Sequence, residues 1–399
     1  KLSMKYDFET LVDRRPLASA KWNAMDRLDG TLEKDVIPFS TADMEYKNPP
    51  EILASLRRFL QDDSIILGYS DLTPAYEEAL RSWMHRRHGW DIEPEWNVVS
   101  PGVVPALYHA VQAFTKPDDG VLMLTPVYYP FLRAASLHGR TPLCCPLKEE
   151  EGRYTVDWDA FEAMASRPEC SLFLLCSPHN PVGRVWTPEE LRRMGDICNA
   201  NHVLVVADEI HNDLILPGHS HTVYATLGEE YAQNCIVCTA PSKTFNLAGL
   251  QVSNILIPNE KIRASLRDDM AKSALNRLNI LGIHACETAY NACEGWLEEA
   301  LRQIDSNRQL CEDFFAEHLP RLRATPLEGT YLQWWDCRAL GLDDAALERF
   351  MQREAKLFLD EGAMFGPGGS GFERINLACP TWVLQKALTR LEQAVKRNF

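Results

Sequence analysis

The chain has no apolar run approaching the ~20 residues that a membrane-crossing helix needs. Its opening stretch, Lys1 to Arg15, is polar and acidic and has no secretory leader's apolar core. Positive charge is also in short supply: 41 basic side chains against 56 acidic ones leave a formal charge of -15. The average surface therefore repels nucleic-acid phosphates. Twelve cysteines are present, yet none joins histidine at a spacing that suits zinc, so no metal is expected. Several of them, Cys176, Cys235, Cys238, Cys379 and the pair Cys144-Cys145, sit inside apolar runs. There they read as small reduced core hydrophobes, which implies a cytoplasmic setting.

What is present is an ordinary globular composition, 46% hydrophobic and 24% charged over 399 residues, long enough for two domains. The division expected is a large domain over 50–290 and a smaller one built from 1–49 with 291–399. From Val98 to Ile257, apolar runs alternate with polar loops and helical segments, which predicts a doubly wound, mostly parallel seven-stranded sheet with helices on both faces. Strands are expected at Val121 to Thr125, Leu143 to Leu147, Ser171 to Cys176, Val203 to Ala207 and Cys235 to Thr239. Thr187-Pro188-Glu189-Glu190 is a capping box with proline at the first helical position, so a helix should run from Pro188 to Ala200. Thr73-Pro74 predicts another through Arg86.

Outside the sheet, Asp35 to Ser40 reads as a short strand and Glu51 to Leu60 as a helix. After Ile257 a long helical zone follows, with a break near Gly295. The last stretch predicts a smaller α/β unit: strand Gly329 to Trp335, helix Asp343 to Phe358, a glycine loop over 366–371, strand Phe372 to Ala378 and helix Thr381 to Lys396.

The polar groups at the strand ends carry the chemistry, because ligands of an open α/β sheet collect at its carboxyl edge. Asp208 closes one apolar run and Lys243 follows another, while Tyr128 and Asn180 occupy equivalent places after two more. Asp208 alone could equally cap a loop, and the turn at Gly102-Val103-Val104 could be a plain helix entry. Taken jointly, they match what pyridoxal 5'-phosphate requires. A lysine holds the aldehyde as a Schiff base, and an aspartate pairs with the protonated ring nitrogen. An aromatic ring stacks on the cofactor, and free N–H groups with the Ser242 hydroxyl face the phosphate.

These residues fall in motifs: Ala42-Asp43-Met44, Gly68-Tyr69-Ser70, Pro101-Gly102-Val103-Val104, Asn180-Pro181-Val182-Gly183, Ala207-Asp208-Glu209-Ile210-His211 and Ser242-Lys243-Thr244-Phe245-Asn246. In this order the chain resembles the pyridoxal-phosphate enzymes of fold type I, the class I/II aminotransferase superfamily. It is most similar to their carbon-sulfur lyase branch, the cystathionine beta-lyases of the PatB and MalY kind. The resemblance implies that Lys243 is the Schiff-base lysine, Asp208 the ring-nitrogen partner, Asn180 the donor to the ring 3-hydroxyl oxygen and Tyr128 the stacking ring. Arg374 would clamp the substrate α-carboxylate; an internal salt bridge is the other reading of that buried guanidinium. Ala42 and Asp43 would line the substrate side.

The same resemblance implies a homodimer in which Tyr69 reaches the neighbouring subunit's site. It also implies α,β-elimination on a thioether such as cystathionine, giving homocysteine, pyruvate and ammonia, with a place in methionine biosynthesis. Transamination between an amino acid and a 2-keto acid is the alternative. Some relatives add regulation through a protein partner; this sequence offers no support for one. Two departures from the general aminotransferase pattern stand out. His211 replaces a tyrosine, as in the lyase branch, and Gln251 stands where a phosphate-binding arginine is usual. Phosphate holding then falls more on Thr239, Ser242, Tyr69 and backbone donors.

Overall fold

Short apolar runs closed by polar turns become strands, and the segments between them become helices. The computed structural model describes residues 4–399; the readings above that touch residues 1–3 lie outside the described residues. In chain order the strands are β1 Asn97–Ser100, β2 Gly120–Thr125, β3 Thr141–Pro146, β4 Lys148–Glu150, β5 Arg153–Thr155, β6 Cys170–Cys176, β7 Leu204–Asp208, β8 Cys235–Thr239 and β9 Ser253–Leu256. Then follow β10 Arg323–Ala324, β11 Leu332–Asp336, β12 Asp360–Glu361 and β13 Phe372–Asn376.

Seven of these form one sheet in the order β1-β9-β8-β7-β6-β2-β3. It is parallel from β8 to β3, while β9 runs antiparallel to both its neighbours. Alternate residues of each strand feed opposite faces. Val205 and Ala207 enter one apolar core, with Leu191, Met194 and Cys198 of the helix Pro188–Ala200. Leu204 and Val206 enter the other, with Ala106, Leu107 and Ala110 of the helix Val103–Phe114. Both faces are thus covered, which is why the strands read as continuous apolar runs.

Local signals set the helix ends. Thr187 Oγ1 accepts from Glu190 N at 3.1 Å and Glu190 Oε1 accepts from Thr187 N at 3.0 Å, closing the capping box. Thr73 caps Pro74–His88 through Tyr76 N. The second sheet has the order β10-β11-β13-β12 and is antiparallel throughout. The helix Ile280–Ala292 packs on Pro50–Gln61 and Pro74–His88, whereas Glu294–His318 packs on Thr381–Asn398.

Three readings change, and one element is new. Asp35 to Ser40 is no strand: Pro38 makes one isolated bridge to Phe358, and proline has no N–H with which to extend a ladder. The helical zone breaks at Cys293, not Gly295. The helix from Asp344 keeps α geometry only to Arg349, widens over Phe350–Glu354, and is followed by Lys356 at a φ of 52°. The hairpin β4–β5 had no apolar alternation to announce it. Its turn places Glu151 and Gly152 at φ of 50° and 83°, the backbone of a two-residue hairpin loop.

Candidate active site

At the carboxyl edge of the central strands lies a cavity of about 180 Å³. Its wall contains Ala42, Gly102, Val103, Val104, Tyr128, Asn180, Asp208, His211, Ser242, Lys243 and Gln251. Strand-end and helix-entry positions from Gly102 to Lys243, far apart in the chain, are thereby drawn to one place by sheet order. Asp208 is the last residue of β7 and stands across from Cys176 of β6, which also lines the cavity.

Lys243 follows β8 on a turn closed by Phe245 N to Pro241 O and Leu247 N to Ser242 O. Its Nζ donates to the Ala42 carbonyl at 2.8 Å, and the Tyr331 hydroxyl donates to that same oxygen at 2.8 Å. Burial lowers the Lys243 pKa to about 8, helped by Arg374 and Lys21 and resisted by Asp43 and Asp208. The amine is therefore partly uncharged near neutral pH, as a nucleophile or base must be.

Burial raises Asp208 to about 7, against the pull of the Ile210 N–H and of Lys243. Its carboxylate accepts from Ile210 N at 3.2 Å, and among the described residues no lysine, arginine or histidine nitrogen lies within 4.0 Å of it. A buried acid without a cationic partner is costly unless a ligand supplies one. His211 is buried beside it, with Nδ1 lacking any hydrogen-bond partner. Its burial, and then Lys243 and Arg374, hold its pKa well below the usual imidazole range, so the ring is neutral.

Tyr128 presents its ring in the wall, and its N–H donates to the Asn180 carbonyl at 3.0 Å. Asn180 Oδ1 accepts from Arg374 Nη1 at 3.0 Å. Arg374, 2% exposed, also pairs through Nη2 with Asp360, and its Nε is unpartnered. The internal salt bridge thus exists alongside free donors that a carboxylate could still take. Gly102 precedes the helix Val103–Phe114 and joins Val104 in the wall, so orphan N–H groups of a twelve-residue helix open at the cavity.

Three expected residues lie elsewhere. The Thr239 hydroxyl donates to the Asn254 carbonyl at 2.8 Å and is outside the cavity wall, so it is not free for an anion. Asp43 turns its carboxylate to Arg14 and Lys21, whose attraction outweighs its burial and holds its pKa down at about 2. Tyr69 is 98% exposed, with the Arg277 guanidinium 6.0 Å from its ring centre, and does not touch this cavity.

Sequence reasoning missed Tyr331, Asp360 and Asn376, and gave no role to Asn246. Asn246 Nδ2 donates to the Met44 and Tyr46 carbonyls and its Oδ1 accepts from Met44 N, lacing the lysine turn to the loop after Thr41. Asn246 has a φ of 59°, a conformation asparagine tolerates better than most residues, which is the one signal its sequence carried.

The cavity fits pyridoxal phosphate on these observations: a half-buried amine of lowered pKa, a buried carboxylate without a cation, an orphaned ring nitrogen and a helix entry. A fold with this edge and this set defines a class, the pyridoxal-phosphate enzymes of fold type I. The family model for class I and II aminotransferases matches residues 34–391, and the chain belongs to that family. It is 40% identical over 389 residues to the cystathionine beta-lyase PatB of Bacillus subtilis, covering 98% of this chain and 100% of that one. The structure superposes on cystalysin of Treponema denticola, which contains a pyridoxal 5'-phosphate cofactor, with a TM-score of 0.97 and 45% identity over 99% of this chain and 100% of that chain. It also superposes on a pyridoxal-phosphate-bound C-S lyase of Staphylococcus hominis, with a TM-score of 0.90 and 31% identity over 98% of both.

Proposed function

We infer that this protein is a pyridoxal-phosphate-dependent carbon-sulfur β-lyase of the cystathionine beta-lyase type. It cleaves cystathionine or related cysteine thioethers by α,β-elimination to a thiol, pyruvate and ammonia. The observation that carries the reading is the pairing of Lys243 and Asp208 in one buried wall, in a chain 40% identical to a cystathionine beta-lyase.

When bound, the cofactor supplies an aldehyde to carry the substrate amine and a ring that takes up charge as the Cα proton leaves. We assign the remaining work to this chain's residues. Lys243 Nζ holds the cofactor at rest and, once free, takes the Cα proton, a task suited to an amine with a pKa near the working pH. Asp208 faces the ring nitrogen and keeps it protonated. Tyr128 stacks, Asn180 donates its amide N–H to the ring oxygen, and Ser242 with the N–H groups of Gly102, Val103 and Val104 receives the phosphate. Arg374 offers its unused donors to the substrate carboxylate, and Ala42 closes the substrate side.

Further parts of the proposal concern assembly and setting. We place two copies together so that Tyr69, exposed here, enters the partner's site. We divide the chain near residue 290, since Ile280–Ala292 packs on helices of the first half and Glu294–His318 on the last helix. A cytoplasmic enzyme serving methionine biosynthesis agrees with its composition and with the thiol it releases.

Purified protein loaded with cofactor should turn cystathionine into equal amounts of pyruvate and homocysteine. Absence of pyruvate together with amino transfer to an added 2-keto acid would establish the aminotransferase reading instead.

A further inference from the structure

Three successive carbonyls, those of residues 41–43, are divided among different donors. Those of Thr41 and Asp43 accept Asn376 Nδ2 at 2.8 and 2.7 Å, and the Asp43 carbonyl also accepts Lys21 Nζ at 2.9 Å. The middle one, Ala42, is left for Lys243 and Tyr331. The loop's entry is fixed by Thr41 N, which donates to Asp360 Oδ2 at 2.9 Å. Thr41 has a φ of 59°, a left-handed conformation that persists in threonine only where its surroundings impose it. The same Asp360 oxygen accepts Arg374 Nη2, and β12–β13 pairing sets Asp360 directly across from Arg374.

One carboxylate oxygen therefore joins the guanidinium to the loop on which the lysine amine rests. We propose that Asp360 is a positioning residue that couples the orientation of the Arg374 fork to the Ala42 carbonyl beside Lys243. The proposal rests on the roles given above to Arg374 and Lys243.

The chemistry is one of counted donors. A guanidinium has five N–H bonds; Asn180 and Asp360 take one each from Nη1 and Nη2, leaving Nε and one hydrogen on each terminal nitrogen. Asp360 decides which edge of the fork remains open to a ligand carboxylate. Its side chain is 13% exposed and that of Arg374 2%, so little water is available to replace the pair. Without the carboxylate, Arg374 is held on the Asn180 side alone and the Thr41 N–H loses its acceptor. The Ala42 carbonyl then drifts from Lys243, withdrawing a contact that favours the charged amine.

The test compares two ligands on cofactor-loaded protein by visible absorbance: an S-alkyl cysteine and the matching amine that lacks the α-carboxylate. Asp360→Ala should weaken the amino acid by about tenfold or more, the scale of a lost charge-assisted contact, while the amine stays within about twofold. Asp360→Asn, which keeps one acceptor oxygen, should fall between. In apoprotein, the pH midpoint for acylation of Lys243 should move down in Asp360→Ala. An unchanged ratio of the two affinities in the asparagine variant overturns the proposal, as does equal weakening of both ligands or an unmoved acylation midpoint. If Asp360→Ala does not fold, the ratio in Asp360→Asn decides alone. Failure of the underlying roles is distinguishable, because unaltered cofactor-loaded protein would then bind the amino acid no more tightly than the amine.

Discussion

Lys243 Nζ donates to the carbonyl oxygen of Ala42 at 2.8 Å although 201 positions separate them in the chain. The contact gives the amine a fixed resting place, while burial keeps its pKa at about 8. Replacing Lys243 by alanine should lower turnover by about a thousandfold, within the range of a lost acid-base group. Borohydride treatment of unaltered holoprotein should fix the cofactor on the peptide bearing Ser242 and Lys243. Steady-state kinetics and peptide mass spectrometry check the two outcomes.

Asp208 gives a pH dependence with a definite sign. Burial raises its pKa from 3.8 to about 7 in the folded apoprotein, so between those values the folded chain holds a proton that the unfolded chain has lost. Its contribution to stability therefore falls as pH rises from about 4 to about 7. Apoprotein Asp208→Asn should show a shallower decline over that window in denaturant titrations. The same variant should bind the cofactor more weakly and lose most turnover, since an amide carries no charge for a protonated ring nitrogen.

Arg374→Lys keeps the charge and loses the fork. The structure gives its guanidinium two protein partners, Asn180 and Asp360, and a lysine cannot meet both in the same plane. KM for amino-acid substrates should rise by about tenfold or more, with a smaller change in kcat. Initial-rate measurements across substrate concentrations separate the two.

Shared sites can be tested by mixing two inactive variants, Lys243→Ala and Tyr69→Ala. Unfolding and refolding them together would give mixed dimers in which one site has an intact Lys243 from one subunit and an intact Tyr69 from the other. Recovery of about a quarter of normal activity is expected from random pairing of two-fold symmetric subunits. No recovery would place Tyr69 outside the partner's site.

Thr187→Ala removes the hydroxyl that accepts Glu190 N. The cost should be about 1 kcal/mol, as for other N-caps. It should appear as a lower denaturant midpoint with KM unchanged, because no residue of Pro188–Ala200 lines the cavity.

The parallel core was legible because its strands are buried on both faces and so appear as unbroken apolar runs ending in polar residues. Lys243, Asp208, Asn180, Tyr128 and Gly102 were legible for the same reason: strand ends converge whatever the details of packing. Long-range side-chain choices were not. Thr239 follows the strand pattern like its neighbours, yet its hydroxyl turns across to Asn254. Tyr331, Asp360 and Asn376 meet the loop after Thr41 through separations of 289 to 335 positions. No local spacing encodes a contact of that kind.

The twelve cysteines are all free, and only Cys144 is not buried. Burial pushes the thiols of Cys145 and Cys170 up to about 11, and that of Cys286 to about 12. Cys176, in the cavity wall itself, is also driven upward, by burial and then by Asp208. Sulfur exchange proceeds through the deprotonated form. The Cys176 sulfur, beside a site that liberates sulfhydryl compounds, is thereby held protonated and is a weak nucleophile toward any disulfide that those products later form.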